Sequence, residues 1–425
     1  MNCSYLISRA RSWLGRGRLA YLTGALCLTM PAHAADTPPR HLGLEETATL
    51  ALRQQPQLLA QQAMVDSLTE AAPAAGELPD PKLRVGLASL PVDTFNFTQE
   101  AMTQAIVGVS QVIPGGDKRH LSSARLAREA AQGNQALAAA SRRIARDAQL
   151  AWLDMYWPSV ALYLVKQVEE EYRRQVEWSE VAYKTGKQTQ EETLALRGML
   201  AATQDRESEL ARQRAKAQAA LGRWIGADAR RPLDVLADGS PPDSLARLVE
   251  NLAQHPELTT LNEAVSVAQA DAALAREAYK PDWSVDLSYG LRGGGRPDLV
   301  SVVVGVDLPL FTANRQDKRL ASRLAVVERS EQLRQDRYQS LRAELESAYA
   351  DWQAANERIA HFEKEILPLA SRRSESALAA YGSDRASYGR VLEARRAETE
   401  ARLQWLSQQV NRARALIQIR YFSAS

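Results

Sequence analysis

The chain repeats itself at a separation of about 200 residues, and a chain that does so builds its fold from two copies of one supersecondary unit. Leu52-Arg53-Gln54-Gln55-Pro56-Gln57-Leu58 stands against Leu252-Ala253-Gln254-His255-Pro256-Glu257-Leu258. Pro81, Val85 and Leu87 stand against Pro281, Val285 and Leu287. Asp117-Lys118-Arg119 meets Asp317-Lys318-Arg319, Val107-Gly108-Val109 meets Val304-Gly305-Val306, and Ala182-Tyr183 meets Ala380-Tyr381. This collinear series predicts a first repeat over 35–229, a linker over 230–242 marked by Pro232, Pro241 and Pro242, and a second repeat over 243–425.

Within each repeat the hydrophobic period changes in the same order. A helical stretch (44–76 and 243–279) leads to two strand-like runs (82–112 and 282–308), and then to two very long helical runs (117–182 with 188–225; 314–380 with 385–421). In Trp283 to Arg292 the odd positions are apolar and the even ones mostly polar; next, Val300, Val302, Val304, Val306 and Leu308 share one face. The first-repeat partners, Leu83, Val85, Leu87 and then Ala105, Val107, Val109, alternate more weakly. Runs of this length suit tilted transmembrane strands, and equally the strands of a soluble sheet with one wet face. The long helices carry a heptad seam. It runs Leu341, Leu345, Ala348, Trp352, Ala355, Ile359, Phe362, Ile366, Leu369, and resumes as Leu403, Leu406, Val410, Ala413, Ile417. Pro158 and Pro368 are expected to bend their helices.

Residues 1–34 read as a secretory signal peptide. Arg9, Arg11, Arg16 and Arg18 precede an apolar run from Leu19 to Met30, and Ala32-His33-Ala34 supplies a cleavage signal; an uncleaved anchor is the alternative. Cleavage would remove both cysteines, Cys3 and Cys27. A charged fraction of 24% and a mean hydropathy of −0.35 exclude a polytopic bundle of apolar helices. A balance of 53 Lys+Arg against 51 Asp+Glu argues against a nucleic-acid binder.

Four strands cannot close a barrel, and lipid satisfies no open edge. If they span a membrane, several chains must share one barrel, and three copies supply twelve strands. The expected fold is therefore mainly α with a short transmembrane β part. Long coiled-coil helices would form an α-barrel, and each chain would give four strands to a trimeric twelve-stranded β-barrel.

The order of these parts resembles the outer-membrane efflux proteins, the TolC-like family. So do Leu78-Pro79-Asp80-Pro81, Val107-Gly108-Val109-Ser110-Gln111-Val112-Ile113-Pro114, and the hairpin tips Tyr183 to Thr189 and Tyr381 to Ser387. The Pro-Asp-Pro lead and the Ser-Gln-Val-Ile-Pro-Gly-Gly-Asp-Lys-Arg exit look most like the heavy-metal branch, the CzcC- and CusC-like proteins. The resemblance implies a homotrimeric duct in Gram-negative outer-membrane lipid. It also implies a periplasmic adaptor at the hairpin tips and an inner-membrane transporter of the resistance-nodulation-division type behind it. Heavy-metal cations are the implied cargo. A drug or polypeptide duct and a pore-free periplasmic coiled-coil scaffold are the alternatives.

The resemblance places adaptor contacts at Gly186, Lys187 and Thr189, with Ser383, Asp384 and Ser387 as their second-tip counterparts. It places a gate at Tyr381, Glu192 and Glu393, with Arg390 standing where the TolC pattern has a further acid. Alternation would turn Asp286, Ser288, Ser301 and Asp307 to the barrel lumen. No cofactor, metal site or catalysis is expected. His41, His120, His255 and His361 are far apart, none reads as four residues from another ligand, and no phosphate loop or hydrolase motif occurs.

Overall fold

Each repeat opens its second helix with proline at the first helical position, where the missing N–H costs nothing. Pro56 starts α2 (Pro56–Gly76) and Pro256 starts α6 (Pro256–Glu277). The computed structural model describes residues 41–186, 188–383 and 385–423. The expected signal peptide lies outside them, as do Lys187 and Asp384. In the first repeat, α1 (Leu44–Gln54) and α2 lead to β1 (Lys82–Ala88), β2 (Gln104–Ile113), α3 (Lys118–Lys184) and α4 (Gln190–Ile225). In the second, α5 (Leu245–Asn251) and α6 lead to β3 (Trp283–Arg292), β4 (Leu299–Val306), α7 (Gln316–His361), α8 (Leu367–Gly382) and α9 (Tyr388–Phe422). Among the described residues no helix is long and apolar enough to cross a membrane.

The 67 residues of α3 make a rod about 100 Å long at 1.5 Å per residue. The rod packs against α1, α2, α4, α6 and α9. Its middle is the main core: Ile144, Ala148, Trp152 and Met155 meet Leu221, Ile225, Val410 and Ile417. The buried Trp152 indole donates to the Leu42 carbonyl at 2.9 Å. Leu42 also holds the segment between the repeats. Its N–H donates to Pro232 O at 2.8 Å, and Asp234 N–H donates to Leu42 O at 3.0 Å. Arg231 adds an ion pair to Glu46 at 3.1 Å. The segment 230–242 is thus docked on the helices, and residues from His41 onward form one compact unit.

The four strands form one antiparallel sheet in the order β1-β2-β3-β4, so β2 against β3 joins the two repeats. Close packing brings the strands to the helices. A Cβ on Gly115 would sit 1.8 Å from Pro281 O, and Gly115 N–H donates to the Asp282 carboxylate at 2.7 Å, which also pairs with Lys118 at 2.7 Å.

Two expectations need correction. The heptad seam is buried from Leu341 to Phe362, but Leu369 is 62% exposed. A π-helical turn at Phe362–Ile366 adds a residue to the turn. The seam therefore continues one position late, and Ser374 is the buried residue of α8. The helix α3 runs on through a buried Pro158, and a π turn precedes Pro368. Finally, His361 does have a ligand-type residue four positions on. Adjacent helical turns bring its Nδ1 to 3.6 Å from Glu365 Oε2.

The end of α9 docks on α6 and α7 through a buried polar cluster. His255 accepts from Glu257 N–H at 3.3 Å through Nδ1, and its Nε2 lies 3.1 Å from Tyr421 O. Glu257 pairs with Arg337 at 2.7 Å and accepts from the Tyr421 hydroxyl. Burial pushes the His255 pKa down, so the ring folds neutral. Burial pushes Glu257 up, but Arg337 and Tyr421 outweigh it and hold the carboxyl below its usual range. Both pKa values are lower folded than unfolded. Their contributions are therefore present above the unfolded values and lost as pH falls through the folded ones. Thermal melts in detergent should fall in midpoint through the histidine range and again through the carboxylate range. The first step should vanish in His255→Gln; an unchanged profile would contradict it.

Candidate functional site

Side chains opposite one another in the ladder share a face. One row reads Arg84, Gly108, Ser288, Ser301 and the next reads Lys82, Ser110, Asp286, Val303. The neighbouring rows, Leu83, Val109, Leu287, Val302 and Val85, Val107, Tyr289, Val300, form the other face. That face is nearly all apolar, and it is open: Val85 is 73% exposed, Leu287 53% and Val302 65%. The pattern is inverted relative to a soluble sheet, because nothing among the described residues covers the apolar face. Asp286, Ser288 and Ser301 lie together on the polar face. Asp307 lies one residue beyond β4, its N–H donating to Asp282 O at 2.9 Å.

Sequence reasoning missed the bases on this polar face. Arg84 pairs with Asp286 at 3.1 Å, Lys82 stands one pair further along β1, and Arg292 closes β3. The alternation Leu83, Val85, Leu87 already placed Lys82 and Arg84 opposite to the apolar side. At the far end, Arg292 donates to Pro297 O (2.7 Å) and Ala101 O (3.3 Å), and Arg296 to Thr98 O (3.2 Å) and Glu100 O (3.0 Å). The two strand-connecting loops are clamped together.

The helix-hairpin tips form a second cluster. α3 ends on Gly186, whose φ of +72° belongs to the region where glycine avoids a Cβ penalty, and whose N–H donates to Tyr183 O at 3.0 Å. Thr189 then starts α4 with a capping box. Its hydroxyl accepts from Glu192 N–H at 3.2 Å, and the Glu192 carboxylate accepts from Thr189 N–H at 3.1 Å. In the second tip, Ser383 Oγ donates to Ala379 O (3.1 Å) and Ala380 O (3.2 Å). Ser387 starts α9 without a side-chain cap, and Arg390 stands where the first tip has the acceptor Glu192. Glu393 pairs with Arg373 at 2.9 Å and is exposed.

The structure brings the two tips together around Tyr388. Its ring packs 5.0 Å from that of Tyr381 and against the cluster of Tyr172, Val176, Leu196 and Leu392. Burial, with Tyr381 and Tyr172 nearby, pushes the Tyr388 hydroxyl up to about 12. Beneath it a buried Ser179–Thr193 hydroxyl pair at 2.8 Å joins α3 to α4. A cleft lined by Arg174, Trp178, Gln188, Tyr381 and Tyr388 opens beside this cluster. Among the described residues no group of three or more metal-ligating side chains occurs.

The family model described as outer membrane efflux protein matches residues 248–423, within the second repeat. No curated protein matches the chain. Among solved structures, the CmeC outer membrane channel of Campylobacter jejuni is similar at a TM-score of 0.77 and 13% identity, over 89% of this chain and 85% of that one. A membrane protein from Pseudomonas aeruginosa gives 0.76 and 17%, over 89% and 93%. CusC, whose crystal structures concern folding and transmembrane channel formation, gives 0.72 and 16%, over 90% and 92%. The fold is that of the TolC-like channels, mostly helical with long rods and a small antiparallel sheet. The family match covers part of the second repeat, and the neighbours share the fold over most of the chain.

The capping asymmetry is testable. Arg390→Glu should give Ser387 a carboxylate partner three residues on, complete a capping box and stabilise the start of α9 by about 1 kcal/mol, whereas Thr189→Ala should weaken α4 by about the same. Hydrogen exchange at the first turns of α4 and α9 reads both; no added protection at α9 would contradict the assignment.

Proposed function

We propose that this chain is one third of an outer-membrane exit duct of a tripartite efflux pump in a Gram-negative cell. Lipid would cover the apolar face of the sheet, and the polar face would line the water-filled lumen. The observation that carries this reading is the open apolar face on a sheet whose edges, β1 and β4, have no partner strand among the described residues. Hydrocarbon leaves no open edge unsatisfied, so β4 of one copy would pair with β1 of the next, and three copies close twelve strands. The tips would meet a periplasmic adaptor through Gly186, Lys187, Thr189, Ser383, Asp384 and Ser387, with an inner-membrane transporter of the resistance-nodulation-division type supplying the energy. Tyr381, Glu192, Glu393 and Arg390 would border the periplasmic gate, and Tyr381 against Tyr388 is the contact to be broken on opening. The strand-flanking motifs favour heavy-metal cations as cargo; the charge on the sheet's polar face favours a different class.

Protein extracted from outer membranes in detergent should have the mass of three copies by light scattering. Val302→Arg should lower the amount assembled in the outer membrane, since arginine facing mid-bilayer lipid costs a barrel about 2–4 kcal/mol. A monomer in the aqueous periplasmic fraction, indifferent to that substitution, would favour a pore-free scaffold and overturn the duct.

A further inference from the structure

Resting on the duct reading above, we infer that the strand segment of the lumen prefers anions to cations, and that Arg84 and Lys82 set this preference. The polar face of the four strands carries three bases, Lys82, Arg84 and Arg292, and one acid, Asp286. The Arg84–Asp286 pair is asymmetric toward the lumen: the guanidinium side chain is 66% exposed and the carboxylate side chain 23%. Arg84 Nη2 also reaches Ser110 Oγ at 3.5 Å, which lays the guanidinium across the carboxylate. A passing ion therefore meets the base, while the acid is screened behind it.

The rest of the face does not restore negative charge. Gln104, Ser110, Ser284, Ser288 and Ser301 are neutral. Asp282, one residue before β3, is occupied by Lys118 and the Gly115 N–H. Asp307 is exposed at the end of the sheet nearest the helices and leaves the bases in excess. At the opposite end Arg292 keeps its charge while its guanidinium is held by loop carbonyls. The tip carboxylates that could impose cation selectivity are also engaged: Glu192 caps α4, and Glu393 is paired with Arg373. Three copies place three Arg84 and three Lys82 side chains around one channel. Rings of arginine and lysine favour anions in pores, and low-dielectric walls concentrate their field. The cargo class this fits is anionic or zwitterionic small molecules, with bare divalent cations disfavoured in this segment.

The test is the reversal potential of the purified full-length protein in planar bilayers under a KCl gradient. The expected result is a chloride-to-potassium permeability ratio above one, which falls about threefold or more in Lys82→Gln/Arg84→Gln. The preference should also shrink at 1 M salt, where the screening length is about 3 Å. A second variant, Ser301→Lys, keeps the Arg84–Asp286 pair and should raise the ratio. A conducting channel that prefers potassium, or a ratio unmoved by these changes, would overturn the inference and leave the duct standing. Absence of any conductance would sink the duct itself, and this inference with it.

Discussion

In the proposed duct a peptide group in hydrocarbon has no water to bond, and that constraint would organise the sheet and its edges. The chain carries just four strands among its described residues, with an apolar face that its own helices do not reach. Each strand pairs with its sequence neighbours, leaving two free edges and one dry face per copy. Much of the remaining architecture delivers those strands in register. The glycine pair at 115 and 116 lets the end of β2 pass under Pro281, and Lys118 and Asp282 lock the first long rod to the start of β3. The rods can then be long because they are anchored at the sheet and buried midway around Trp152.

The two repeats are equal in plan and unequal in detail. Both long runs before the tips cover 67 residues, 118–184 and 316–382, but only the second contains a π turn. Both start their inner helices with proline, but His255 has become a buried acceptor at the first-turn backbone of α6, tied to the end of α9. The π turn lies part-way along its rod, and the His255 departure falls at the docked end of α9. Identical repeats would supply identical partners there, and the single chain needs different ones.

Much of this plan was legible in the sequence, because it rests on periods. The strand alternation of Val300 to Val306 and the seam from Leu341 to Phe362 fix which side is apolar, and the structure agrees. The π turn was not legible. A heptad pattern records phase, and one extra residue resets the phase without changing composition, so Leu369 emerges where burial was expected. The basic residues of β1 are harder to place from sequence because its three apolar positions alternate more weakly than the valines of β4. Ion-pair partners such as Arg84 with Asp286 depend on cross-strand register, which local patterns do not encode. The difference between the tips, by contrast, was written plainly in Thr189-x-x-Glu192 against Ser387-x-x-Arg390.

That difference has a mechanical corollary. A helix end whose first amide protons are satisfied from both directions resists unravelling, and one without such ties gives way at lower load. Under heat or a pull from a docked protein, the second hairpin should peel at α9 before the first yields at α4. Compliance at the hairpin-tip end of the molecule is then unevenly shared, with the softer member built into the half that also holds Tyr388.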